Sequence, residues 1–460
     1  MQRSDYLSLF EAGKARFVES WKEYVRIPSI SSDPAYAPDC QRGAEWMRAY
    51  LERMGLKAQV FPSSGQPLVF AERAGDATLP TLLFYGHYDV QPADPLAEWT
   101  NPPFEPEVRD GRLYGRGALD NKGQTMAFLA GLETVLQAGT FSAPLKVIIE
   151  GEEESGSSGL FDSLQTEEWR KRLRADVLLV DDSEAYAPGI PAITMGLRGI
   201  IHLSVKLFGA NFDLHSGLHG GIAPNPAMAL ARLLATIHNP DGSIAVKGFC
   251  DTITPLDEET RRLLRSAPFD QEKYEADFGI KALGGERGFT PEERLAFRPT
   301  IEVNGIHSGH GGPGQKTIIP AKAEAKITSR IVAGQDPVRS LALIEEHLRA
   351  HAPEGLRLVI DEKGGVHRAL AVNPHSGLLK RAARVLEAAY QHKPVYLWCP
   401  GSIPIVVSLV EALGAEPLLV GFGLPEDRMH APDESFSLVQ FRDGFLYACL
   451  MLEELSLCKA

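Results

Sequence analysis

Three short apolar runs in the first half of the chain alternate with a helical pattern, and this alternation limits the fold more than any other feature. The runs cover residues 81–85, 145–149 and 176–180, and each is bounded by polar or turn residues. Runs of this length are typical of buried strands. Residues 125–137, between the first two runs, have helical character. Strand and helix therefore alternate as in a mainly parallel sheet covered by helices, which predicts an α/β fold.

The pattern changes after residue 198. Apolar and polar residues now alternate with period two, which predicts an antiparallel sheet with one solvent-exposed face. The segments concerned are 201–207, 325–331 and 356–360. At 460 residues the chain is also long for a single hydrophobic core. We therefore predict a catalytic α/β domain at 1–198 and 371–460, with a mixed, mainly parallel sheet flanked by helices, interrupted by an α+β domain at 199–370.

Charge, hydropathy and cysteine usage exclude several classes of partner. The formal net charge of −13 argues against nucleic acid, because phosphate binding needs clustered Lys and Arg. No stretch approaches the roughly 20 apolar residues that span a bilayer, so no membrane contact is expected. The cysteines show neither a disulfide pattern nor a thiolate zinc motif. They are Cys40, Cys250, Cys399, Cys449 and Cys458. We predict a cytoplasmic protein with reduced cysteines.

Acidic and imidazole side chains cluster just after the predicted strands. His87 and Asp89 follow the first strand, residues 152–154 follow the second, residues 181–182 follow the third, and Asp120 precedes the helix. In open α/β sheets ligands bind at the carboxyl ends of the strands. Divalent cations would keep such converging carboxylates ionised. Imidazole with carboxylates and no thiolate suits zinc, manganese or cobalt better than calcium.

Each of these motifs has a simpler interpretation when taken alone. Asp120 could be only a helix N-cap, residues 152–154 a solvated charge run, and residues 181–182 the end of a strand. Their joint occurrence at strand ends favours a metal site. In that site Asp89 would accept the second ring N–H of His87 and fix its tautomer, because side chains two residues apart on an extended segment point the same way.

The motifs resemble those of the M20 family of metallopeptidases, which includes dipeptidases, N-acyl-amino-acid deacylases and carboxypeptidases. The resemblance covers nearly the whole chain and is carried by Gly86-His87-Tyr-Asp89, Gly115-Arg-Gly-Ala-Leu-Asp120, Glu152-Glu-Glu154-Ser-Gly, Asp182 and His430 in Met-His-Ala-Pro-Asp-Glu. The chain looks most like the cytosolic non-specific dipeptidase and carnosinase branch. That similarity rests on Gly196-Leu-Arg-Gly199, Asp213-Leu-His215-Ser-Gly217, Gly311 to Pro320, Gly401-Ser402-Ile-Pro404 and the long middle domain.

The resemblance implies two divalent metal ions per subunit, zinc or manganese. The implied ligands are His87 and Asp182 at one ion, Glu154 and His430 at the other, and Asp120 at both. Glu153 would be the general base that activates water held between the ions and then protonates the leaving amine. A shift of one place within residues 152–154 stays open.

The resemblance also assigns roles in the middle domain, which would act as a lid and dimerisation domain. Arg330 would bind the terminal carboxylate of the substrate, a task that suits a bidentate guanidinium. His215 would reach the active site of the neighbouring subunit of a homodimer and stabilise the oxyanion. Thr317 and Ser402 are weaker candidates for substrate contacts. Without the resemblance, Arg330 could be an ordinary strand residue and His215 an ordinary surface residue.

The function predicted from the sequence is hydrolysis of the amide bond of dipeptides or short peptides. The alternative within the same family is an N-acyl-amino-acid deacylase, because its substrates also present a carboxylate to Arg330. A non-catalytic member that binds a ligand or partner would be expected to have lost ligands or the base, whereas every expected position is filled here. Metal-assisted phosphoester cleavage fits a dinuclear site in principle, but the sequence shows no cluster of basic residues that would bind the phosphate.

Overall fold

The computed structural model describes residues 1–457. The chain forms two compact units. The larger unit comprises Met1–Met195, Val372–Leu397 and the chain from Ile405, and the inserted unit comprises Gly196–Ala371 and Trp398–Pro404. Among the described residues, no helix combines the length and apolar character needed to cross a membrane. Cys458 lies outside the described residues.

The amino-terminal part of the larger unit contains five helices and eight strands. The helices are α1 (Arg3–Val25), α2 (Ala37–Arg53), α3 (Lys122–Ala138), α4 (Ser158–Leu164) and α5 (Glu167–Leu173). The strands are β1 (Lys57–Phe61), β2 (Leu68–Arg73), β3 (Leu82–His87), β4 (Glu107–Arg109), β5 (Arg112–Tyr114), β6 (Leu145–Glu150), β7 (Val177–Val180) and β8 (Ala192–Leu197). Short 3-10 helices occur at Pro34–Tyr36, Leu96–Glu98 and Glu153–Ser155.

The next part of the chain builds the inserted unit. Its strands are β9 (Gly199–Phe208), β10 (Leu214–His215), β11 (Thr300–Ser308), β12 (Ile318–Ile319), β13 (Lys322–Ile331), β14 (Arg357–His367) and β15 (Leu370–Ala371). Its helices are α6 (Ser216–His219), α7 (Pro226–Ala235), α8 (Glu258–Leu264), α9 (Gln271–Phe278), α10 (Pro291–Phe297) and α11 (Pro337–Ala350).

The carboxy-terminal part contributes α12 (Gly377–Tyr390), β16 (Val395–Cys399), α13 (Pro404–Leu413), β17 (Glu416–Gly421), a 3-10 helix (Pro425–Asp427), β18 (Ser435–Ser437) and α14 (Leu438–Leu457). Helix α14 packs against α3 and α1. Aromatic rings join the two ends of the chain, since the centroids of Trp21 and Phe441 lie 5.0 Å apart and those of Phe10 and Phe445 lie 5.1 Å apart. The larger unit is therefore completed by residues from both ends of the sequence.

The main sheet of the larger unit has a parallel centre. Its strands run in the order β1-β2-β6-β3-β7-β17-β8. The pairs β6–β3, β3–β7 and β7–β17 are parallel, whereas β1–β2, β2–β6 and β17–β8 are antiparallel. Strands β3 and β7 are buried along their whole length, which explains the continuous apolar runs in the sequence. The predicted fold class, a mixed and mainly parallel sheet flanked by helices, is confirmed.

The inserted unit has an antiparallel sheet with one buried face. Its strands run in the order β11-β13-β9-β14. The buried face of β9, from Ile201 to Leu207, joins a core with residues of α7 and α11. The other face carries polar and charged side chains, as the period-two patterns predict.

The compact units differ from the predicted domain boundaries at three places, since residues 196–198, 371 and 398–404 group with the inserted unit rather than with the catalytic domain. Residues 398–404 do so although they lie far along the chain from most of that unit. The reason is local hydrogen bonding, because the backbone N–H of Arg198 donates to Gly401 O at 3.0 Å and Arg198 Nε donates to Pro400 O at 2.9 Å. The roles of the inserted domain as lid and dimerisation surface stay predictions.

Candidate metal centre

The parallel centre of the main sheet brings the predicted metal ligands together. His87 is the last residue of β3, while Glu154 and Asp182 follow β6 and β7, the strands on either side. Potential ligand atoms of His87, Asp120 and Asp182 all lie within 4.8 Å of one another, and so do those of Asp120, Glu154 and His430. Asp120 belongs to both groups. All five predicted ligands thus meet at the carboxyl end of the sheet.

Asp120 links the two groups through its two carboxylate oxygens. Oδ1 lies 3.1 Å from His87 Nε2, and Oδ2 lies 2.9 Å from His430 Nε2. His430 Nε2 also lies 3.1 Å from Glu154 Oε1, and His87 Nε2 lies 3.8 Å from Asp182 Oδ2. With one oxygen toward each group, Asp120 would be able to bind a cation in both groups.

The electrostatics of the centre indicate that it needs positive charge. Burial, together with nearby carboxylates such as Asp120 and Glu154, raises the pKa of Asp182 to about 7. Burial alone would lower the pKa of His87, but its hydrogen bonds to Asp120 and Asp89 outweigh burial and raise the pKa well above the usual value. Without cations, protons on Asp182 or on His87 would balance part of the negative charge. Divalent cations bound by these imidazole and carboxylate donors would supply that charge instead, and the donor set fits them.

Asp89 positions two parts of the site at once. His87 Nδ1 hydrogen-bonds the backbone carbonyl oxygen of Asp89 at 3.2 Å and lies 3.2 Å from Asp89 Oδ1, so its Nδ1–H is directed at Asp89 and its Nε2 faces the centre. The same carboxylate accepts hydrogen bonds from the backbone N–H groups of Glu153 and Glu154, at 3.2 and 3.1 Å. Ser31 Oγ donates to Asp89 Oδ2 at 2.6 Å. Asp89 therefore fixes both the imidazole and the turn that carries the predicted base.

The three consecutive glutamates point to different surroundings. Glu152 turns away from the centre, where its carboxylate accepts a hydrogen bond from the backbone N–H of Gly159 at 2.9 Å, in the first turn of α4. Glu154 belongs to the second ligand group. Glu153 lies between them at the start of the 3-10 helix, and its surroundings include His87 and Asp182. This placement favours Glu153 and Glu154 as the functional pair.

Sequence reasoning assigned no role to Glu434, which holds the loop that carries Asp120. Glu434 is fully buried. Its Oε1 accepts hydrogen bonds from the N–H groups of Leu119 and Asp120 at 2.9 and 3.1 Å, and its Oε2 accepts from Gly117 N at 3.0 Å and from Arg116 Nη1 at 2.6 Å. The only signal in the sequence was its position in the motif that contains His430.

Asn121 is a second residue whose role sequence reasoning missed. Its Nδ2 donates to Asp182 Oδ1 at 2.9 Å and to the carbonyl oxygen of Asp181 at 3.0 Å. Its Oδ1 accepts a hydrogen bond from Thr125 Oγ1 at 2.6 Å, which fixes the orientation of the amide. Asn121 therefore orients one predicted ligand, Asp182. Nothing in the sequence pattern indicated this contact.

The remaining predicted site residues lie in the inserted unit, in two places. On β13, Arg330 Nη1 donates to Ser402 Oγ at 2.7 Å, and Ser402 Oγ donates in turn to the carbonyl oxygen of Arg198. His215 is exposed at the end of β10, and its Nδ1 accepts a hydrogen bond from Gly217 N at 3.0 Å. Thr317 O accepts one from Ser216 N, beside His215, at 3.0 Å.

Comparison with known proteins gives consistent matches over nearly the whole chain. The model of peptidase family M20/M25/M40 matches residues 83–454. The cysteinylglycine-S-conjugate dipeptidase of Corynebacterium striatum is 32% identical over 92% of this chain and 91% of its own. The Beta-Ala-His dipeptidase of Homo sapiens is 29% identical over 95% and 90%. The solved structure of an M20 family metallo-carboxypeptidase, Sso-CP2 from Sulfolobus solfataricus, superposes with a TM-score of 0.84 and 29% identity, covering 96% of this chain and 99% of that one.

The two ligand groups predict separable losses of metal. We expect His87→Ala to lose one of the two ions and most of the activity, because the group of Asp120, Glu154 and His430 stays complete. Metal content per subunit after equilibrium dialysis, measured by mass spectrometry, tests this. An unchanged metal content would contradict the site.

The contacts of Glu434 predict a weaker affinity for both metal ions, in contrast to the loss of one ion expected for His87→Ala. Glu434→Gln replaces one acceptor by an amide donor facing N–H groups, which displaces the loop of the shared ligand Asp120. We expect the affinity for both ions to fall, by about 10- to 100-fold, as for other residues that orient metal ligands. Chelator titration against the matched control Glu426→Gln, an exposed glutamate of the same segment, measures this. Loss of a single ion, or equal affinities in both variants, would refute the role of Glu434.

Proposed function

The chain belongs to the M20/M25/M40 family of peptidases, and from this membership we propose that it is a dipeptidase that hydrolyses dipeptides or short peptides at a centre of two divalent metal ions. The family match and the dipeptidase relatives confirm the resemblance seen in the sequence. The single observation that carries the proposal is the contact of the two oxygens of Asp120 with histidines of two ligand groups.

Five side chains would hold the ions. They are His87 and Asp182 at one ion, Glu154 and His430 at the other, and Asp120 at both. Zinc and manganese both suit these donors, and the metal that is available often determines which of them is bound. When bound, the ions polarise the scissile carbonyl group and make an attacking water molecule more acidic. Asp89 and Asn121 support the site by orienting His87 and Asp182.

Glu153 is the proposed general base. Its backbone is fixed by the hydrogen bond to Asp89, so its carboxylate stays beside the ligand groups. Glu153 takes one proton from water as the water oxygen forms a bond to the carbonyl carbon of the substrate. It returns that proton to the amide nitrogen as the C–N bond breaks. The products are a carboxylic acid, which then releases its proton to solvent or to the amine, and a free amine, and Glu153 ends in its starting form.

Substrate recognition is proposed to use the inserted unit. Arg330 would bind the terminal carboxylate, and its hydrogen bond to Ser402 presents the guanidinium in a fixed orientation. Thr317, at the hairpin of β10 and β12, is a further candidate contact. An N-acyl-amino-acid deacylase would use the same carboxylate site, but relatives named as dipeptidases favour dipeptides.

A homodimer is part of the proposal. His215 would stabilise the oxyanion of the reaction in the neighbouring subunit, a role for an exposed histidine with its Nδ1 already bonded and Nε2 available. Large apolar side chains near His215 in sequence are exposed, as expected of a surface that a second subunit covers: Phe212, Leu218, Ile222 and Met228. Location in the cytoplasm stays a prediction.

A substrate panel tests the reaction. We expect metal-stripped protein to be inactive and to release free amino acids from dipeptides after zinc or manganese is restored, because the carboxylates alone cannot polarise the substrate. N-acetyl amino acids form the second half of the panel. Faster hydrolysis of N-acetyl amino acids would favour the deacylase, and inactivity on both sets with metal bound would reject the proposal.

The role of Glu153 is tested by removing its basicity and keeping its shape. Glu153→Gln should retain two ions and lose about 10²- to 10⁴-fold in kcat, the range typical of a general base. Glu152→Gln is the matched control, because Glu152 faces α4 and a glutamine can still accept its hydrogen bond. A larger loss of kcat in Glu152→Gln than in Glu153→Gln would show that Glu152, and not Glu153, is the base.

Action of His215 across the dimer predicts complementation. Glu153→Gln and His215→Ala should each be nearly inactive, but a refolded mixture should regain activity, because each mixed dimer holds one site with both residues intact. Random mixing predicts roughly a quarter of the wild-type activity. If the mixture stays as inactive as its components while mixed dimers form, His215 does not act in the neighbouring subunit.

A further inference from the structure

A cavity of about 430 Å³ lies entirely within the inserted unit. Strands β11 and β13 line one side of it, and residues between Phe269 and Leu295 line the other. This volume falls in the range of about 300–1,000 Å³ that is typical of small-molecule sites. Such sites combine apolar walls with a few charged groups, and this cavity has both.

Three guanidinium groups line the cavity; that of Arg294 donates to the carbonyl oxygens of Gly284 and Ala282, which leaves those of Arg198 and Arg330. Among residues 1–457, neither forms an ion pair with a carboxylate; Arg198 Nε donates to Pro400 O, and Arg330 Nη1 donates to Ser402 Oγ. Burial and the charge of Arg330 lower the pKa of Arg198 to about 10. Glu302 also lines the cavity, but it is exposed. Two partly buried cations without a paired anion favour a ligand that brings a carboxylate.

Aromatic and aliphatic side chains form another part of the cavity wall. The rings of Phe269 and Tyr274 pack with their centroids 5.2 Å apart, and both residues line the cavity. Leu295 lines it as well and is 40% exposed, so a ligand could still cover it. A ligand that fills the cavity therefore needs both a carboxylate and a large apolar group.

We propose that this cavity is the subsite for the carboxy-terminal residue of the substrate, and that it selects large apolar or aromatic side chains. Arg198 acts there beside Arg330 as a second guanidinium for the carboxylate. Phe269, Tyr274 and Leu295 form the wall that contacts the side chain. This inference rests on the dipeptidase function proposed above, which supplies a substrate with both groups.

The apolar wall is tested by two identical substitutions in the same segment. Leu295→Ala removes part of the wall, whereas Leu283→Ala removes a leucine that is 80% exposed and does not line the cavity. We expect Leu295→Ala to lower the ratio of kcat/KM for Ala-Phe to that for Ala-Gly about tenfold, the effect of one lost apolar contact, and Leu283→Ala to leave this ratio unchanged. Equal ratios in Leu295→Ala and the wild type would overturn the proposal.

The role of Arg198 is tested with a substrate that lacks the carboxylate. Arg198→Met should raise KM for Ala-Phe about tenfold, with less effect on kcat, and should not weaken hydrolysis of the amide Ala-Phe-NH₂ relative to the wild type. Equal losses with acid and amide would show that Arg198 does not contact the carboxylate. If Arg198→Met fails to fold, the Leu295 comparison still decides the proposal.

A binding measurement separates this inference from the proposed reaction. Calorimetric titration with 3-phenylpropionate, a carboxylate with an aromatic group and no peptide bond, should give tighter binding than propionate, and Leu295→Ala should reduce the difference. If dipeptides are not hydrolysed but 3-phenylpropionate binds in this way, the function fails and the subsite stands. If dipeptides are hydrolysed and the two acids bind equally well, the subsite fails alone.

Discussion

The crowding of buried carboxylates around Asp120 is the constraint on which the rest of the larger unit depends. Three acidic ligands and the proposed base lie among buried groups, where like charges repel and desolvation penalises every ionised form. Such an arrangement stays folded only if the surrounding chain fixes each group and cations or protons balance the charge. Neighbouring residues hold these groups in place, since Asp89, Asn121 and Glu434 each make a polar contact with a side chain or the backbone of the centre.

The pair of Arg116 and Glu434 shows how this support is built. Both side chains are almost completely buried, and an ion pair in such a place gains little net stability by itself, because desolvation offsets most of the attraction. The pair has a structural effect that an apolar pair could not reproduce. Glu434 also accepts hydrogen bonds from three backbone N–H groups within residues 117–120. It therefore joins the loop of Asp120 to the segment that carries His430. The pairing of β18 with β5 continues this connection.

Much of the fold and of the centre could be predicted from the sequence, for reasons that can be named. The runs that became β3, β6 and β7 are apolar because both faces of these strands are buried, and parallel strands place their following residues at one edge. That was enough to group His87 with residues 152–154 and 181–182. Glu434 and Asn121 were missed because their roles depend on backbone groups distant in sequence. The same applies to residues 398–404, which pair with Arg198 about 200 positions earlier.

In the proposed function, chemistry and recognition use residues of different units. All predicted metal ligands and the proposed base belong to the larger unit, whereas Arg330, Ser402 and the cavity beside them belong to the inserted unit. Substitutions between residues 269 and 295 can therefore change the size and polarity of the cavity without changing the charges around Asp120. A metal centre that tolerates little change can thus be combined with a recognition surface that tolerates much more.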